Sequence, residues 1–213
     1  MKTEKQLFFT RKENRNCTFV KFPILEKMYI MKKLLLLSIF GWSFISGQEF
    51  ILTPQNFVNN ADESKNYIVL EYPEFNQKQL YEKTKIFVQS KFKNLKGDGL
   101  NEVEYSFIKI RTSEPGTRVK MLGREFLMSY MITTFELNFK DGKIMIKPIL
   151  ELFEPAESGA SNTYLTGGNS FSGKSIFNKD GKIWLKNYYD ASNLNVNNFL
   201  KNLKDSLSNN EDW

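Results

Sequence analysis

Between Phe126 and Phe153 the sequence reads FLMSYMITTFELNFKDGKIMIKPILELF, two long apolar runs on either side of Asp141-Gly142. Runs rich in aromatic and β-branched residues around an Asp-Gly pair predict a β-hairpin with a two-residue loop of type I′, in which both loop residues take positive φ. Such a loop fixes the register. Phe139 then faces Ile144, Leu137 faces Ile146 and Phe135 faces Pro148, all on one face that should be buried. Counting outward from the turn makes Phe135 and Pro148 a non-hydrogen-bonded pair, so the missing N–H of Pro148 costs this ladder nothing. It also predicts an unpaired far edge of the strand near Pro148. The apolar phase changes near Thr133 and Thr134, which predicts a bulge or burial on both faces.

The flanking sequence supplies partners for this hairpin. Tyr67–Tyr72 reads as a strand ended by Pro73. Asn76, with Gln79 three residues on, has the form of a helix N-cap with a capping box. Leu80, Thr84, Phe87, Val88, Lys91, Phe92 and Leu95 then mark one face of an amphipathic helix that covers a sheet, with Gly97 and Gly99 as stop signals. Val103–Arg111 reads as a strand, Glu114-Pro115-Gly116 as a turn and Arg118–Leu122 as a short strand. Residues 154–175 are rich in Ser, Gly, Thr and Asn, a length of loop that is functional or flexible in a compact domain. Lys179–Lys186 echoes Lys140–Lys147 and predicts a second Asp-Gly turn. A final helix, started by Ser192 or Asn193, carries Leu194, Val196, Phe199, Leu200, Leu203 and Leu207 onto the sheet. These elements predict an α+β domain: an antiparallel sheet of roughly five to seven strands with two helices on one face.

Charge decides between partner classes. The net charge of +6 is carried by the leader: residues 1–47 hold nine of the 30 Lys/Arg and three of the 24 Asp/Glu. That leaves 21 of each sign in Gln48–Trp213, a neutral body without the clustered positive charge that phosphate backbones require. Nucleic acid is therefore excluded as the expected partner. Met31-Lys32-Lys33 followed by the apolar run Leu34–Ile45 and small residues at Ser46-Gly47 has the form of a secretory signal cleaved before Gln48. The run is shorter than the roughly 20 apolar residues of a bilayer span, so no integral span is expected after cleavage. Residues 1–30 read as an extension before the natural start at Met31 or Met28, 31–47 as the signal peptide, 48–66 as a linker and 67–208 as the domain. The expected location is outside the cytoplasm: periplasm, cell surface or medium.

Several chemistries are closed. The sequence has no His and a single Cys, Cys17, in the extension. The exported body has no disulfide, thiolate nucleophile, imidazole base or His/Cys metal site. Gly168–Ser175 matches G-x-x-x-x-G-K-[ST], the phosphate-cradling P-loop. The context opposes that reading: no buried strand leads in, and a turn rather than a helix follows, so nucleotide binding is not expected. Glu71, Glu74, Glu102 and Glu104 lie near strand ends, but nothing in their spacing selects the pair that glycoside hydrolysis needs. No catalytic residue, metal ligand or cofactor is assigned. The first candidates for contacts are Tyr164 and Phe171, aromatic residues in the long loop.

Two stretches carry a family resemblance: YPEFNQKQLYEKTKIF from Tyr72 to Phe87 and YMITTFELNFKDGKIMI from Tyr130 to Ile146. Together they resemble domain-of-unknown-function family 4468, a group of exported bacterial proteins, over about Tyr67–Leu207. The resemblance implies a TBP-like fold, a curved antiparallel sheet with helices on one face. It implies no activity, and no functional residue carries over. The loop at 154–175 and the second Asp-Gly turn depart from the family pattern. The expected function is a non-enzymatic binding or assembly module with an unknown envelope or cell-surface partner. The alternatives are a carboxylate-dependent hydrolase of envelope polymers and self-association through the sheet edge beside Pro148.

Overall fold

The structure, a computed structural model, describes residues 49–92, 95, 99–168 and 174–208. The chain divides into two units, Met1–Ser46 and Gly47–Trp213, and all described residues belong to the second. The extension, the signal sequence, Cys17, Gly97 and Phe171 lie outside the described residues.

Eleven strands and two helices are described: β1 Phe50–Thr53, β2 Asn56–Asn59, β3 Ile68–Glu71, α1 Gln77–Lys91, β4 Leu100–Val103, β5 Phe107–Pro115, β6 Arg118–Met121, β7 Arg124–Leu127, β8 Ser129–Lys140, β9 Lys143–Pro155, β10 Thr163–Tyr164, β11 Lys174–Ser175 and α2 Lys186–Ser208. The main sheet has the order β11-β10-β9-β8-β5-β4, and β3 joins the same edge of β9 as β10. Every pairing is antiparallel except β10 with β11. This is the α+β architecture that the periodicities predict.

The central hairpin has the predicted register: Lys140 faces Lys143, Phe139 Ile144, Leu137 Ile146 and Phe135 Pro148. Its turn is not type I′, because only Gly142 takes positive φ (70°). Neighbours hold the loop. The Tyr72 amide donates to the Gly142 carbonyl (2.7 Å), the Gly142 amide to the Phe75 carbonyl (2.9 Å), and the Gln77 amide to Asp141 Oδ1 (2.9 Å). The last contact places a carboxylate at the first turn of α1, where it complements the helix dipole. The phase change also resolves. Ile132 faces Leu152 but Thr133 faces Leu150, so Glu151 is the extra residue of a bulge in β9. Strand β8 runs straight through and is buried on both faces from Met131 to Phe135.

Helix α1 has the predicted capping box, with Asn76 Oδ1 accepting from the Gln79 amide and Gln79 Oε1 accepting from the Asn76 amide. It buries Leu80, Tyr81, Thr84, Phe87 and Val88. Helix α2 lies on the same side: Phe199 stacks on Phe135 (centroids 3.9 Å apart) and Tyr188 meets Phe153 edge-on (4.9 Å). The other sheet face carries cross-strand ion pairs, Glu136 with Lys147 (3.1 Å) and Arg111 with Glu151 (2.8 Å).

Four further expectations are corrected. The expected linker forms the β1–β2 hairpin and buries Phe50, Leu52 and Phe57 in the core. Its edge is read by α2: Asn197 Oδ1 accepts from the Phe50 amide and Nδ2 donates to the Phe50 carbonyl, while Asn193 Oδ1 accepts from the Leu52 amide. Val103–Arg111 is not one strand; it is broken by a turn at Tyr105 (φ 61°) into β4 and β5. Glu114-Pro115 is no turn either, since β5 continues through Pro115 opposite Tyr130. Finally, α2 starts at Lys186. Ser192 Oγ donates back to the Tyr188 carbonyl inside the helix, and Asn193 is engaged by β1, so neither caps. The Asp180-Gly181 turn closes with a single bridge, Phe177 to Ile183, ahead of that helix.

Candidate functional site

The last turn of α1, the ends of β5 and β8, and the middle of α2 enclose a cleft of about 210 Å³. Its floor is the Phe135–Phe199 stack, with Phe92 against Phe199 at 6.1 Å. One wall carries Asn195, Asn198 and Asn202, spaced three and four residues apart and so on one face of α2. The opposite wall holds Thr112, Glu114, Met131 and Thr133 from adjacent strands.

Two opposite charges enter this cleft. Lys91 projects over aromatic rings, with Nζ 5.7 Å from the centroids of Phe87 and Phe92 and 5.8 Å from that of Phe199. Such cation–π contacts hold an ammonium without neutralising it. Glu114 is half-buried and, among the described residues, has no hydrogen bond or ion pair. Burial pushes its pKa up, opposed by the attraction of Lys91; burial likewise pushes Lys91 down, opposed by Glu114. The two sense each other's field without forming an ion pair. Beside them the Thr133 hydroxyl is buried and has no hydrogen-bond partner among the described residues. Thr112 Oγ1 donates instead to the Thr133 carbonyl (3.1 Å), and Asn195 Nδ2 donates to the Pro115 carbonyl (3.1 Å). The cleft thus joins an aromatic floor to a carboxylate and a hydroxyl that have no hydrogen-bond partner among the described residues.

The residues singled out from sequence lie elsewhere. Tyr164, in β10, pairs with Ser175 and its carbonyl accepts from the Ile176 amide; it does not line this cleft. Of the P-loop match, residues 169–173 are outside the described residues, and Lys174-Ser175 form β11 rather than a helix start. Glu102 accepts from Tyr81 Oη (2.8 Å) and from Lys85 Nζ (2.7 Å). Those two bonds, Lys85 first, hold its pKa down, the opposite of a general acid. Glu102 and Glu104 line one open depression; Glu71 and Glu74 line another at the Asp141 turn, where Glu71 pairs with Lys143 (3.1 Å). Among the described residues no group of three His, Cys, Asp or Glu converges on a metal position. The sequence did carry one signal for the cleft, the asparagines of α2, which stand where a surface helix more often has Lys or Glu.

No protein-family model matches the chain, and no curated protein is similar to it. A solved structure is similar: the crystal structure of a DUF4468 family protein from Bacteroides ovatus ATCC 8483. The match has a TM-score of 0.52 at 12% identity and covers 69% of this chain and 87% of that one. At that identity the likeness speaks for the fold alone. In architecture, therefore, the domain is DUF4468-like.

Proposed function

We propose that this is an exported, non-enzymatic binding module whose α1–β5–α2 cleft takes a small zwitterionic ligand of amino-acid or short-peptide type. The observation that carries the reading is the pair Lys91 and Glu114, opposite charges half-buried in one cleft and not joined to each other. A partly desolvated charge without a partner is unfavourable, and a ligand that supplies both partners removes that penalty. A ligand carboxylate meets Lys91, its ammonium meets Glu114, its apolar part rests on Phe135 and Phe199, and Asn198 and Asn202 offer amides to a peptide group. The cleft's 210 Å³ is below the roughly 300–1,000 Å³ of sites for drug-sized molecules, which favours a ligand of one or two residues. Export rests on the sequence of the Met31–Gly47 leader alone, a basic start followed by a short apolar run.

The test is a thermal-shift screen of the full chain against free amino acids and dipeptides, followed by calorimetry. At about 100 times Kd a ligand stabilises by ~2.7 kcal/mol, a shift of several degrees. Lys91→Met and Glu114→Gln should each abolish it. No shift across the panel, or a shift that survives in both variants, overturns the assignment.

A further inference from the structure

Strands β6 and β7 form a separate two-stranded ribbon whose turn, Leu122-Gly123, has φ of 48° and 77°. Cross-strand pairing puts Val119 and Phe126 on one face with Met121. These side chains are 37%, 49% and 58% exposed, Leu122 at the tip is fully exposed, and Met128 at the base is 49% exposed. Leu122 sits in a left-handed conformation that Gly or Asn adopts at less strain, and it gains no contact within the domain. The ribbon carries Arg118 at its base and Lys120 and Arg124 nearer the tip, against one acid, Glu125, which stands opposite Lys120 and pairs with Arg118 (3.4 Å).

We infer that the β6–β7 ribbon is a docking finger for the surface of an anionic phospholipid bilayer. Leu122, Met121 and Phe126 enter the headgroup–acyl boundary while Lys120 and Arg124 meet lipid phosphates. Size decides between a membrane and a protein partner. Four-residue strands extend only about 14 Å at ~3.4 Å per residue. One face of such a ribbon is far short of the ~800 Å² per partner of a stable protein interface. It does match the ~5–10 Å depth of interfacial insertion. This inference is independent of the cleft.

Hydrogen exchange of the full chain, read on the peptide spanning residues 118–127, isolates the ribbon from any effect of the leader. With vesicles of phosphatidylglycerol and phosphatidylethanolamine, exchange there should slow roughly tenfold, and added salt should weaken the effect. Phosphatidylcholine vesicles should protect less. Leu122→Asp and the double change Lys120→Glu/Arg124→Glu should remove the protection. Leu122→Gly relieves the tip backbone, so it should keep or raise Tm while protection falls several-fold. Unchanged exchange on anionic vesicles, or equal protection in the Leu122→Asp chain, overturns the inference. Protection that grows with protein concentration in the absence of lipid also overturns it, and assigns the finger to a second copy of the chain.

Discussion

The Asn56 side chain pairs with Leu150 as a strand would: Nδ2 donates to the Leu150 carbonyl and Oδ1 accepts from the Leu150 amide, both at 2.9 Å. Strand β3 begins opposite Ile146 and β10 begins opposite Phe153, so the Asn56 side-chain amide pairs with the β9 edge in the interval between them. Pro148, with no N–H to satisfy, occupies the remaining gap. Asn56 holds φ at 93°, a conformation Asn tolerates better than most residues. Oδ1 also accepts from the Phe57 amide (3.0 Å), so Asn56→Ala should destabilise the domain by about 2 kcal/mol, through three lost bonds and a strained backbone. Asn56→Gly should cost less, since it relieves the strain. Urea midpoints compare the two, and exchange of the Leu150 amide locates the loss.

What was legible in the sequence depended on range. The Asp-Gly register, the Asn76 capping box and the helix-side core follow from spacings of two to four residues, and each is observed. The β1–β2 hairpin was invisible because its stabilising partners are 94 to 147 residues away, on Leu150 and Asn197. A short polar stretch with two buried Phe looks like a linker until those asparagines are placed. Ser192 and Asn193 read as caps because their type favours helix ends; tertiary bonds use them inside the helix instead. The cleft was missed for the same reason. Lys91 and Glu114 are 23 positions apart, and no local pattern marks an ammonium and a carboxylate that share a space without pairing.

Gly116 reads as a turn residue in sequence, but its constraint is proximity. A Cβ there would lie 2.8 Å from the Phe153 ring and 3.0 Å from the Ser129 carbonyl. The ring is 1% exposed and held edge-on by Tyr188, so it cannot swing away freely. Gly116→Ala should cost about 1–3 kcal/mol by overpacking. Adding Phe153→Leu should return part of that loss, and a double-mutant cycle from urea melts measures the coupling.

Glu102 joins β4 to α1 through Lys85 and Tyr81. Its folded pKa is depressed, so its contribution is present above the unfolded carboxyl value of about 4.3 and is lost as pH falls through the folded value. The side chain is about one-third exposed (32%), and solvent screening limits the contribution to no more than about 1 kcal/mol. Glu102→Gln should lower Tm slightly at neutral pH and converge with the wild type in acid.

Glu114 has the opposite sign. Burial raises its folded pKa, so ionisation opposes folding. The domain is spared this below the unfolded carboxyl pKa and loses stability as pH rises through the folded value. Glu114→Gln removes the ionisable group and should raise stability at neutral pH by about 0.5–1 kcal/mol, discounted for partial solvent exposure. Lys91 runs the other way in pH: its depressed folded pKa makes the charged form unfavourable at neutral pH, a penalty that fades as pH rises through the folded value and is gone above the unfolded lysine value of about 10.4. Lys91→Met should therefore also stabilise at neutral pH. The pair still attracts weakly across the cleft, so the double variant should gain more than the sum of the two single changes, each of which leaves its partner without an opposite charge. Tm measured from acid to alkaline pH on the four chains checks this. Two substitutions that stabilise the empty domain while abolishing ligand-induced shifts would identify the cleft as a place where folding stability is given up for binding. Destabilisation by both would mean that Lys91 and Glu114 serve the fold, and would remove the cleft as a binding site.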